Sequence, residues 1–271
     1  GYVFGTDVIS AFTTGFVNAS VYGNYTKGNN DFGVEYFIEL RDYDNRKVKS
    51  IYDYNLNNSH YRSEEDKRDH FGYTSQNIAL RYTKSVPGNY VFQTKLTTDV
   101  STNFVKGNGQ SIFLKDNVSE QHAMFKNGNS AYTKPTLDLY FSKNLGKKDE
   151  LNFNFVGTHF KTNTSEFAKE WEVKSGNSVY DNDMILKAKQ TGIIGELAHV
   201  HNFGKGKLSS GYRISNTSIS NELQNLQGSS SYNVNYLEQY LYTEYSGKID
   251  KFSYRVGAGL TVIHNKSAAN V

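Results

Sequence analysis

The stretch "EQYLYTEYSGKIDKFSYRVGAGLTVIHN", residues 238–265, decides the fold. Two long alternating segments flank a Ser-Gly-Lys-Ile-Asp-Lys turn. In the second segment Phe252, Tyr254, Val256, Ala258, Leu260 and Val262 fall at every other position, with Arg255, Gly257, Gly259 and Thr261 between them. A period of two is that of a β-strand, so the segment has one apolar face and one small or polar face. That face is long for a soluble sheet, and the chain around it is hydrophilic, with mean hydropathy −0.64.

The same pattern recurs along the chain. In "FGVEYFIELRDY", residues 32–43, Phe32, Val34, Tyr36, Ile38 and Leu40 share one face, and Gly33, Glu35, Phe37, Glu39 and Arg41 share the other. Comparable strands are expected at 17–26, 47–56, 73–84, 89–103, 134–143, 150–163, 187–202, 206–219, 236–247 and 251–264, and a less regular one at 1–10. These make about eleven or twelve strands, many of them about ten residues or more, the length a tilted strand needs to cross a bilayer. Composition agrees, with 21 Tyr, 17 Phe and 23 Gly against 2 Pro among 271 residues.

The connections sharpen the expectation. Short turns at 27–31, 85–89, 145–150, 204–207 and 247–250 are rich in Gly, Asn, Asp and Lys. Between them lie long polar stretches at 55–70, 105–133, 164–183 and 220–233. Read as loops, these alternate with the short turns and give two unlike rims. The expected fold is therefore all-β, an antiparallel up-and-down transmembrane β-barrel segment over 1–271, with short periplasmic turns and long extracellular loops. Tyr25, Tyr43, Tyr82, Tyr90, Tyr140 and Tyr245, near strand ends, would form an interfacial girdle.

Charges within the strands must avoid lipid. Glu35, Glu39, Arg41, Lys95, Glu196, Arg213, Glu244 and Arg255 are accordingly candidates to face a hydrated lumen. Lys and Arg (30) are interspersed with Asp and Glu (27) for a net charge of +3, which argues against nucleic acid as a partner. Cysteine is absent, which removes disulfides and thiolate metal sites.

Signals for chemistry are sparse. His199 and His201 lie at a spacing of two without an evident third ligand, so no metal site is assigned. Asp42 with Asp44, and Asp181 with Asp183, read as solvated carboxylates rather than a Ca²⁺ loop. There is neither a Gly-x-Ser-x-Gly elbow nor a phosphate-binding Gly-rich loop, and neither an enzyme nor a cofactor is expected. Phe167 and Trp171, in "FAKEWEV", are the candidates for ligand contact in an outer loop.

The stretches "FGVEYFIELRDYDNRKV" (32–48), "HFGYTSQNIALRYTK" (70–84), "YVFQTKL" (90–96), "PTLDLYFSKNL" (135–145), "LNFNFVGTHF" (151–160), "GIIGELAHVHNFGKGKLSSGYR" (192–213) and "YLYTEYSGKIDKFSYRVGAGLT" (240–261) together resemble the outer-membrane barrel of TonB-dependent receptor-like proteins of Bacteroidota. The resemblance implies a barrel of about 22 strands, of which this chain would be a part. It further implies a plug domain outside the chain, coupling to the TonB energy-transducing complex, and a possible surface lipoprotein partner. The expected function is nutrient uptake across the outer membrane of a Gram-negative bacterium, with outer-membrane lipid around the wall. Two other functions fit the pattern: a non-transporting surface barrel that anchors loops for adhesion or assembly, and a soluble carbohydrate-binding β-domain.

Overall fold

In the computed structural model, which describes residues 1–116 and 118–270, the chain forms one antiparallel up-and-down sheet. Its eleven strands are β1 (Tyr2–Ala11), β2 (Phe16–Lys27), β3 (Asn30–Leu56), β4 (Ser59–Val86), β5 (Tyr90–Lys115), β6 (Val118–Asn144), β7 (Asp149–Glu172), β8 (Ser178–Asn202), β9 (Gly206–Asn225), β10 (Gly228–Ile249) and β11 (Phe252–Asn270). Each strand pairs with its neighbours in sequence, in the order β1 to β11, and a single 3₁₀ turn at Phe12–Thr14 joins β1 to β2. Among the described residues β1 pairs only with β2 and β11 only with β10, so the sheet is not closed as a barrel.

The turns expected at 27–31, 85–89, 145–150, 204–207 and 247–250 all close hairpins at one end of the sheet. The long loops expected at the other end are not there. Residues 55–70, 105–133, 164–183 and 220–233 are for the most part strand, and β3 to β8 run to 24–28 residues each. The far-end connections are tight instead. Asn57 and Asn58, at φ 50° and 63°, link β3 to β4, and Lys115 of β5 pairs directly with Val118 of β6. Asparagine tolerates positive φ better than other side-chain-bearing residues and suits such two-residue hairpins.

The loop expectation fails because these stretches are polar on both faces, so a period of two leaves no hydropathy signal. Cross-strand charge pairing holds them instead. Arg46 makes a two-pronged contact with Asp69, at 2.8 and 2.6 Å, and its guanidinium lies 4.1 Å from the Phe71 ring centre. Arg62 bridges Asp53 at 3.0 Å and Glu64 at 2.7 Å. The Asp116 carboxylate accepts the backbone N–H of His60 at 2.8 Å, tying adjacent hairpin tips together.

Two further details concern strand continuity. Segments 32–43 and 47–56 are one strand, interrupted only by a register shift between Tyr43 and Arg46, where Asn45 has φ 59°. Such a bulge re-aims a strand without ending it. Pro135 lies within β6, where pairing with β7 jumps from Thr133 opposite Lys161 to Thr136 opposite Thr158. A residue with no N–H leaves a gap of this kind in a ladder.

β1 and β2 are shorter than the rest, at 10 and 12 residues. Their far end stops against β3, where Asp42 N–H donates to the Gly15 carbonyl at 3.0 Å. These two strands mark the height of a lower belt, beyond which β3 to β8 continue as a polar extension of roughly 12–15 residues, or about 40–50 Å, while β9 and β10, at 20 and 22 residues in all, extend less far.

Among the described residues no dry core lies on either side of the sheet. The apolar residues that are buried are Ala79 and Ala198, and the accessible surface totals 17960 Å². A compact monomer of this mass would expose about 12,000 Å².

Candidate functional site

The lower belt has two chemically distinct faces, set by register. On one face Phe4, Gly23, Val34, Leu80, Leu96, Leu137, Gly157 and Ile193 form a row through eight strands. The next rows toward the tight turns include Phe155, Ile214, Val262, Phe153, Leu197, Tyr212, Leu241 and Leu260. These side chains are uncovered: Leu96 is 43% exposed, Leu241 58% and Leu260 65%.

Toward the tight turns this face ends in aromatic rings. Tyr25, Phe32, Tyr82 and Phe92 follow one another at centroid distances of 6.4, 4.8 and 6.1 Å. Tyr90 with Phe141 (6.2 Å) continues the collar, and Phe203, Tyr245 and Tyr254 complete it at steps of 6.2 and 6.0 Å. Tyr25, Tyr82, Tyr90 and Tyr245 thus belong to the collar. Tyr43 and Tyr140 do not, because their register places them on the opposite face, beside Phe71 and Asn154. An odd or even position within the strand separates the two groups; proximity to a strand end does not.

All eight candidate charges lie on that opposite face. Glu35 pairs with Arg81 at 2.7 Å, and Glu39 accepts the Tyr73 hydroxyl at 2.8 Å. Arg41 lies over the Tyr43 and Phe71 rings, 5.5 and 5.2 Å from their centres. Lys95 stands between Arg81 and Asp138 in register. Glu196 stands opposite Arg213 and accepts the Tyr242 hydroxyl at 2.5 Å. Arg213 Nε is buried without a hydrogen-bond partner among the described residues. Arg255 contacts Glu244 at 3.1 Å.

Sequence reasoning missed Arg81, Tyr73, Asp99 and Tyr242 as members of this face. Asp99 accepts from Asn77 at 2.6 Å. Asp99 and Tyr242 share the alternation of Lys95 and Glu244 on β5 and β10, so extending the parity along those strands finds them, whereas Tyr73 and Arg81 lie on β4, where no candidate was chosen, and are placed by register opposite Arg41 and Lys95.

The proposed loop contacts are not in a loop. Phe167 and Trp171 lie in β7 on the extension, four residues apart and so on one face, and Phe167 packs on Phe125 at 5.9 Å. Asp181 and Asp183 lie in β8, Asp181 facing Lys169 at 3.7 Å, and Asp42 contacts His70 at 2.5 Å. His199 and His201 both contact Asp149, at 3.0 and 2.7 Å. Among the described residues no three His, Asp or Glu side chains are arranged to hold a metal.

Electrostatics on the extension favour ionised carboxylates. Hydrogen bonds from His60 and then Arg62 hold the Asp53 carboxyl below its ordinary range, and Arg62 does the same for Glu64. Among the described residues no helix is long and apolar enough to cross a membrane. No protein-family model matches the chain, and no curated protein matches it.

Proposed function

We propose that the sheet is an arc of the wall of an outer-membrane β-barrel, and that the barrel serves a TonB-dependent receptor-like protein in nutrient uptake. The observation that supports a membrane wall is the uncovered apolar belt, about ten residues tall, bounded at the tight-turn end by aromatic rings and backed by charge. In water such a belt would have to be covered by other protein, and none of the described residues covers it. In a bilayer, lipid covers it and the aromatic collar sits at the interface. The charged face then turns to a hydrated lumen, and the tight turns to the periplasm.

Direction along the sheet bears on closure. β1 and β11 are both odd-numbered strands and run the same way, so an all-antiparallel closure needs an odd number of further strands. A second copy in the same membrane orientation would offer β1 parallel to β11, which disfavours a dimer as the source. TonB coupling through a plug and capture by a surface lipoprotein rest on the sequence resemblance.

The test of uptake is import of labelled glycans, peptides and metal chelates by cells expressing the whole protein, with and without a protonophore. Energy-dependent uptake of one class that disappears on gene deletion is the expected result. A surface barrel for adhesion would show none, and a soluble carbohydrate-binding domain would stay folded and monomeric in buffer without detergent.

A further inference from the structure

Near the β1 edge, the apolar face holds a trough, a ring collar and two cations stacked in register. Gly23 places no side chain there, and Phe4, Val34, Leu80 and Leu96 surround the gap, leaving an apolar depression of about 590 Å³. One register step toward the tight turns stand the rings of Tyr25, Phe32 and Tyr82, with the Tyr82 hydroxyl fixed on Asn30 at 2.9 Å. One step further, Lys27 and Lys84 flank Asn30 in the same row. Two residues of strand advance about 7 Å, so the ammonium groups originate about 14 Å from Gly23 along the strand.

Neither lysine is neutralised locally. The lysines that pair with carboxylates, Lys49, Lys67, Lys126 and Lys169, all lie on the extension, and among the described residues Lys27 and Lys84 pair with none. The acid nearest Lys27 in sequence, Asp31, is on the opposite face, held by Thr26 and Asn24 at 2.6 and 3.0 Å.

We propose that this is a binding site for one anionic phospholipid of the leaflet beside the tight turns. Its chains lie in the trough over Gly23, its ester region meets the ring collar, and its phosphate and headgroup sit between Lys27 and Lys84. The order apolar, aromatic, cationic along one strand direction matches the order of chain, ester and phosphate in the lipid. Charge complementarity selects an anionic headgroup over a zwitterionic one. The proposal rests on the membrane-wall reading.

The test places the whole protein, with the strands that complete the wall, in nanodiscs containing phosphatidylglycerol and phosphatidylethanolamine at equal amounts, and measures the lipid retained on the protein by native mass spectrometry. Two lysines should favour phosphatidylglycerol on the order of tenfold. Lys27→Gln with Lys84→Gln should bring the ratio near one. Gly23→Leu should fill the trough and lower retention of both lipids, whereas Lys205→Gln, at a distant turn, should change nothing. A chain that enters the bilayer but shows no preference, or keeps its preference in the double variant, overturns the site and leaves the wall reading standing. Disulfide capture of a symmetric dimer through Phe4→Cys, with no lipid retained, also overturns it. Failure of the whole protein to enter any bilayer overturns the wall reading itself.

Discussion

The Tyr242 hydroxyl reaches across Gly211 to donate to Glu196 Oε1 at 2.5 Å, joining β10 to β8 over the strand between them. The ring lies so close to the Gly211 backbone that a Cβ there would stand 2.5 Å from Tyr242 Cζ. Glycine at 211 is therefore a packing requirement of the charged face. Gly211→Val should displace the ring, break the bond to Glu196 and destabilise the sheet by about 1–3 kcal/mol. Urea unfolding in lipid vesicles measures the loss, and Tyr242→Phe separates the bond from the ring.

Adjacent positions on one central strand should respond oppositely to the same charge. Leu96→Arg puts a guanidinium on the apolar belt and should cost about 2–4 kcal/mol in a bilayer. Thr97→Arg, one residue on, faces the charged side and should cost less than about 1 kcal/mol. Equal costs in the unfolding assay would contradict the assignment of faces.

Hydrogen exchange distinguishes a strand-built extension from the long loops that the sequence suggests. Amides of 106–114 and 119–127 should exchange slowly, because their partners are opposite strand residues, whereas Lys174 and Ser175, in the turn after β7, should exchange rapidly. Fast exchange throughout 105–133 would restore the loop description.

The extension should weaken in acid. A carboxylate whose folded pKa is depressed contributes stability above its unfolded pKa and loses it as pH falls through the folded one. Asp53 and Glu64 both have depressed values, so their contribution is whole at neutral pH and fades below the ordinary carboxylate range, about 4. Arg62→Gln removes the partner that they share and should flatten the acid limb of exchange protection in β3 and β4.

The lower belt was readable from the sequence and the extension was not, for one physical reason. Where one face is apolar, a period of two appears in hydropathy, and strands such as 73–84 and 251–264 stand out. Beyond the belt both faces are polar, so Arg62, Glu64 and Asp66 alternate with Ser63, Glu65 and Lys67 without contrast. The same blindness put Phe167 and Trp171 in a loop. Register resolves what local pattern cannot: it separates Tyr43 and Tyr140 from the aromatic collar and brings Arg81, Tyr73, Asp99 and Tyr242 into the charged face. The candidate charges were legible because each interrupts a visible alternation.

The central claim, that one face of the belt meets lipid and the other water, is tested most directly by spin labels on single cysteines along β5 in bilayers. The chain has no cysteine of its own to interfere. Labels at Thr94, Leu96, Thr98 and Val100 should be relaxed mainly by oxygen, and labels at Lys95, Thr97, Asp99 and Ser101 mainly by a water-soluble nickel chelate, alternating residue by residue. Access of the chelate to every position would contradict a membrane wall.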